Sequence, residues 1–197
     1  MRHLMMWFYC LSLWKATAIV LAMTVPLVLL CKKAKRQWIA KIVLVLLLAL
    51  WAAAALYQTI WSRTPGESHP IRWFPLQSYF DMLCSGNLEL FRSNYMNVLL
   101  FYPAGAILAA LLSGPKKHPI LSVLGIVLLG LFSVKIEVAQ YRLEIGWAEM
   151  DDIIHNTSGS IIGYGVFHRL DQHIISFSQN IHKYMDSAPP WSRINRR

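Results

Sequence analysis

The stretch Glu149-Met-Asp151-Asp152-Ile-Ile-His155-Asn156-Thr-Ser-Gly159-Ser-Ile-Ile-Gly163-Tyr-Gly-Val-Phe167 decides how the chain is read. Its second half is apolar enough for a transmembrane helix. Its first half sets two adjacent carboxylates, a histidine and an asparagine at the mouth of that helix. Asp152, His155, Asn156, Gly159 and Gly163 follow in steps of three and four, so on a helix they form one stripe. Ionisable groups inside a bilayer cost roughly 2.5–3.5 kcal/mol each on insertion scales and mark functional positions. Gly159-xxx-Gly163 is the small-residue spacing that lets a second helix come close. Upstream, Lys135-Ile-Glu137-Val-Ala-Gln140 repeats the theme inside another apolar run, with Glu137 and Gln140 on one side.

The rest of the chain agrees with a membrane setting. Of its 197 residues 56% are hydrophobic and 15% charged, and the mean hydropathy is +0.42, too apolar for an ordinary soluble domain. The net charge of +9 would suggest nucleic acid in a soluble protein. Here the positive residues cluster between apolar runs, so they read as topological signals and no nucleic-acid partner is expected. Cys10, Cys31 and Cys84 match no metal spacing and form no CxxC pair. Cys84 is expected outside, where a bond to Cys10 is conceivable; scattered free cysteines are the plainer reading. Lys15 interrupts what would otherwise pass for a signal-peptide core, so the first apolar run is expected to remain as a helix.

A crossing takes about 20 helical residues. Five runs qualify as crossings, near 11–30, 38–61, 94–112, 120–141 and 152–167, with a long connector over 62–93. The fifth is short and is expected to start at the interface. Residues 32–36 carry four positive charges and no acid, and Lys116 and Lys117 add two more in a short turn. The tail holds Arg169, Lys183, Arg193, Arg196 and Arg197. An N-terminus outside and a C-terminus inside put every one of these basic segments in the cytoplasm. In the tail, Leu170, Ile174, Phe177, Ile181 and Met185 recur at helical steps. They predict an amphipathic helix on the inner leaflet, or a solvated helix packed on the bundle. The expected class is therefore all-α: a polytopic bundle of about five transmembrane helices over 1–168, followed by a basic amphipathic tail over 169–197.

That orientation brings Asn94 and Asn97, then Glu137, Gln140 and Arg142, then Asp152, His155 and Asn156 to the outer ends of three helices, all within about two turns. Plainer roles compete. Asn97 and Asn156 serve equally well as bonds between helices. Asp151 and Asp152 suit a helix N-terminus. Glu137 needs a cation, and Arg63 or Arg72 from the connector suits better than Lys135, which points elsewhere. His155 beside two acids is placed to move a proton near neutral pH.

These same residues carry a family resemblance. Asn97-Val-Leu-Leu-Phe101-Tyr-Pro103-Ala-Gly105, Glu137-xx-Gln140 and Glu149-Met-Asp-Asp152-Ile-Ile-His-Asn156-Thr-Ser-Gly159, with Ser62-Arg63 before them, resemble the signature blocks of the VanZ-like family. The likeness covers about 58–167 in order and spacing. One departure stands out: many members have an arginine after the glycine corresponding to Gly146, where this chain has Trp147; either Arg142 substitutes or that polar contact is absent. The resemblance implies a bacterial, Gram-positive-type plasma membrane protein. It also implies an association with teicoplanin-type glycopeptide resistance and the cell envelope.

Two functions compete at this point. The first is a binding protein for a membrane lipid, a cell-envelope precursor or a lipoglycopeptide. In it Arg63 and Arg72 hold phosphate or carboxylate, and Asn97, Glu137, Gln140, Asp152, His155 and Asn156 complete the site. The second is an enzyme on a lipid-linked substrate, with Glu137 and Asp152 as an acid–base pair and His155 assisting. No cofactor is expected, and one histidine with two acids is a poor metal site. A transporter fits less well, because coupled transport places polar groups near the midplane.

Overall fold

The computed structural model describes residues 13–33, 36–66, 71–114 and 119–187, without the side chains of 33, 178 and 181–187. Cys10, the turn at 115–118 and the tail beyond 187 lie outside the described residues.

The apolar runs form long helices. α1 is the span Leu13–Lys32, interrupted at Met23 and resuming as Thr24–Lys33. Pro26 lies just beyond the interruption. The break falls one residue after Ala22 because the proline ring displaces the carbonyl four residues earlier. α2 is Gln37–Leu56 and continues as a wide π turn, Tyr57–Trp61. A short helix α3, Gln77–Ser85, lies within the connector. α4 is Leu88–Leu111, α5 is Pro119–Arg142 and α6 is Met150–Ser187.

Four of these elements are long and apolar enough to cross a membrane: Leu13–Lys32, Gln37–Trp61, Leu88–Leu111 and Pro119–Arg142. α6, the fifth crossing expected from sequence, runs along the bundle with them but spends its first turns on polar groups. Contacts fix the directions. α1 lies parallel to α4, because Thr17 meets Tyr95 and Thr24 meets Tyr102. α6 also lies parallel to α4, because Gly159 meets Val98 and Gly163 meets Tyr102. α5 runs against α6, pairing Ser133 with Asn156 and Ser122 with Tyr164. α2 runs with α5, pairing Trp51 with Phe132 and Thr59 with Gln140. The long helices thus alternate in direction along the chain.

The tightest packing joins α4 to α6. A Cβ added at Gly159, Gly163 or Gly105 would collide with the backbone of Val98, Tyr102 or Ser160 respectively. The glycines let the two backbones touch, as the spacing predicts. Below this contact Val28, Leu44, Tyr102, Ala106, Ile107, Ala109, Ala110 and Phe167 form a buried cluster.

Two boundaries differ from the sequence reading. α4 starts at Leu88 rather than near 94, because Asn87 caps it by accepting the Glu89 N–H and Glu89 favours the positive end. α6 does not stop near 168. No glycine or proline follows Gly165 before its end, so one helix of 38 residues continues. Its length of about 57 Å far exceeds the roughly 30 Å of hydrocarbon. Leu170 and Ile174 extend the buried cluster, Asp171 pairs with Lys32 at 3.0 Å, and Phe177 stays exposed.

Candidate functional site

At the end of the bundle opposite Lys32 the connector folds over the tips of α4, α5 and α6. Its anchor is Asp151. Pro75 precedes Leu76, which adopts a left-handed backbone with φ 64°. Such a conformation costs a branched residue roughly 1–2 kcal/mol. Asp151 offsets it: the carboxylate accepts the N–H groups of Leu76 and Ser78 and the Ser78 hydroxyl. Asn94 donates to the same hydroxyl oxygen at 2.8 Å. Asp151 therefore caps α3 across the fold rather than only its own helix. Its burial, 2% exposed, is fully compensated. Next to it, Tyr79 Oη and His155 Nε2 share a hydrogen bond of 2.8 Å.

A second tie is a two-residue strand pairing. The Arg72 N–H donates to the Ala148 carbonyl at 2.9 Å, and the Met150 N–H donates to the Arg72 carbonyl at 3.0 Å. This sets the Arg72 guanidinium 3.3 Å from Asp81 and 3.5 Å from Glu149. The guanidinium also lies over the Trp147 ring, 3.7 Å from its centroid. Trp147 thus supplies a cation–π platform for Arg72 where the resemblance leads one to expect another arginine. Arg142 is exposed and does not stand in for it. Burial pushes the Glu149 carboxyl above the ordinary range, and Arg72 pulls it back.

Glu137 is 4% exposed and accepts the Glu149 N–H at 3.1 Å. The sequence reading offered Arg63 or Arg72 as its partner. Arg72 is committed to Asp81 and Glu149, so the nearby cation for Glu137 is Arg63. The Arg63 guanidinium covers Gly146, where any side chain would displace it. Its charge reaches Glu137, Glu149 and Asp152 together. Asn97 lies beside the Asp152 carboxylate. On the deeper side, Gln140 Nε2 donates to the Thr59 carbonyl of the π turn at 3.0 Å, and Asn156 Nδ2 donates to Ser133 Oγ at 2.8 Å.

The candidates therefore fall into two groups. Arg63, Glu137, Gln140 and Asp152 gather around one centre, with Asn97 at its edge. Arg72 and Asp151 hold the connector down. His155 bridges toward the connector through Tyr79. Asn156 sits a turn deeper, bonded to α5. Four buried side-chain atoms here have no hydrogen-bond partner among the described residues: Asn97 Nδ2, Gln140 Oε1, His155 Nδ1 and Asn156 Oδ1. An apolar pocket of about 170 Å³ adjoins Glu137 and Glu149, lined by Ile71, Trp73, Val134, Val138, Tyr141 and Ile153. Among the described residues no group of three or more His, Cys, Asp or Glu side chains is arranged to hold a metal ion.

Sequence reasoning missed Thr59, Ser78, Tyr79 and Ser133. Each is a common polar residue whose role depends on a partner far away in the chain, so no local pattern marks it. Trp147 carried a signal, as a departure from the family pattern, but its stacking role did not follow from that.

No curated protein and no solved structure matches the chain. A family model does, over residues 38–171, which takes in α2 through the Asp171 turn of α6 and every site residue above. With the blocks that define the resemblance brought to one end of the helix bundle, the chain belongs to the VanZ/LLP1 family.

Proposed function

We propose that this VanZ-like membrane protein uses the polar centre as an outward-facing site for an amphiphile of the cell envelope. The ligand class is a membrane lipid, a wall precursor or a lipoglycopeptide of the teicoplanin type, and binding modulates glycopeptide susceptibility. In this reading the protein sits in a bacterial plasma membrane, N-terminus outside and C-terminus inside, with 169–197 as a cytoplasmic tail. The basic residues at the Lys32 end support that orientation.

The observation that carries the reading is the set of buried polar atoms left unpartnered on α4, α5 and α6. A buried donor or acceptor without a partner costs roughly 1–3 kcal/mol; Asn97 has the Asp152 carboxylate and His155 the Asp151 backbone close by, whereas Gln140 Oε1 and Asn156 Oδ1 ask for a polar visitor. The charge balance narrows its chemistry. Glu137, Glu149, Asp152 and Asp81 face Arg63 and Arg72. Arg72 is already paired and Arg63 is shared among Glu137, Glu149 and Asp152, so the excess of carboxylates favours a ligand group that donates. Asp152, Gln140 Oε1 and Asn156 Oδ1 accept from ligand amines, amides or hydroxyls. The adjoining apolar pocket suits part of a hydrocarbon chain.

The test is binding to the purified protein in nanodiscs, with teicoplanin and a polyprenyl-linked wall precursor as probes. Saturable binding to one of them is expected. Asp152→Asn should weaken it at least about tenfold, the loss of one charge-assisted bond, with normal folded yield. Absence of saturable binding to either probe and to envelope lipid extract would refute the reading.

The catalytic alternative rests on Glu137 and Asp152 lying within electrostatic reach of each other. It differs in outcome: Glu137→Gln would leave binding intact and abolish turnover of the lipid-linked probe.

A further inference from the structure

At the opposite end of the bundle α2 and α5 part company. They touch at Trp51 and Phe132, 5.6 Å between ring centroids, and again at Thr59 and Gln140. Toward the start of α2 a cavity of about 860 Å³ opens between them. Its walls come from four long helices and α5: Lys32 of α1, Lys41 of α2, Leu112 just past α4, Leu121 of α5 and Ile175 of α6. Lys41 lies one full crossing, about 30 Å, from Arg63, so the cavity is distinct from the polar centre.

The cavity is amphipathic. Its one acid, Asp171, is neutralised by Lys32 at 3.0 Å. Lys41 is then an uncompensated charge at the rim, and the exposed Arg36 stands near it in the chain. Above the rim, α2 exposes Ile42 and Val45, and α5 exposes Leu124 and Val127. A basic mouth over a wedge flanked by apolar helix faces is complementary to a lipid with an anionic head and acyl chains. Basic pockets between helices at the cytoplasmic boundary take such head groups.

We propose that this wedge is a binding site for an anionic phospholipid, its phosphodiester held by Lys41 and its acyl chains lying between α2 and α5. The site is independent of the outer ligand and survives if that reading fails.

Native mass spectrometry of the full chain, released from detergent with equal phosphatidylglycerol and phosphatidylcholine, tests it. Phosphatidylglycerol should be retained and phosphatidylcholine lost. Lys41→Gln, at an exposed position, should lower phosphatidylglycerol retention about fivefold. Leu121→Trp, which narrows the wedge, should lower it too, and Arg142→Gln at the far end should not. Equal retention of the two lipids would overturn the proposal, as would unchanged retention in Lys41→Gln. Displacement by millimolar inorganic phosphate alone would also overturn it, by showing a free-anion site.

Discussion

Gly159→Ala is expected to remove most of the folded protein from the membrane. The added methyl group meets the backbone of Val98, not a side chain that can swing away. Overpacking a core side chain costs about 1–3 kcal/mol, and here relief requires separating two helix backbones along their whole contact. Gly163 meets Tyr102 and Gly105 meets Ser160 in the same seam, so a displacement at one position opens the others. Size-exclusion profiles of the tagged protein in detergent, with thermal midpoints, measure the effect. Gly165→Ala is the matched control on the same helix. Nothing lies within 4 Å of its added Cβ, and it should gain up to about 1 kcal/mol of helix propensity.

Asp151→Ala should have the second largest effect, of a different kind. It removes the shared acceptor for the Leu76 N–H, the Ser78 N–H and the Ser78 hydroxyl. Bonds to a charged group contribute about 1.5–3 kcal/mol each, and the two Ser78 donors left behind are buried, so a cost on the order of 3 kcal/mol or more is expected. The loss should be local. Amide exchange should accelerate through Arg72 and α3, while the α4–α6 seam stays protected. Asp151→Asn retains one acceptor oxygen and should fall between. If α3 keeps its protection in Asp151→Ala, the strand pairing of Arg72 with Ala148 and Met150 holds the connector unaided.

What was legible in the sequence follows from the range of the interactions involved. The apolar runs, the stripe through Asp152, His155, Asn156, Gly159 and Gly163, and the pair Glu137 and Gln140 are written at helical spacing. Periodicity alone placed them on shared faces. The glycine seam could also be read, because four-residue spacing of small residues has one common use in helix pairs. α3 could not be read: its nine residues show no crossing-length pattern, and their anchor, Asp151, lies 73 residues from Ser78 in sequence. The partner of Glu137 was half legible. Charge named Arg63 and Arg72, but only the pairing of Arg72 with Asp81 and Glu149 separates their roles. The fifth crossing and the tail helix read as two elements because hydropathy falls near 168; the chain meets no glycine or proline there, and one helix continues to Ser187.

Much of the functional reading stands on a single arrangement, in which the acids and amides of α4, α5 and α6 form one centre that opens to the cell exterior. A chain with Cys10, Cys31 and Cys84 changed to serine and Asp152→Cys added tests it in intact cells. A small membrane-impermeant thiosulfonate should modify the cysteine from outside. Modification only after the cells are permeabilised would place the centre on the wrong side of the membrane and contradict the account.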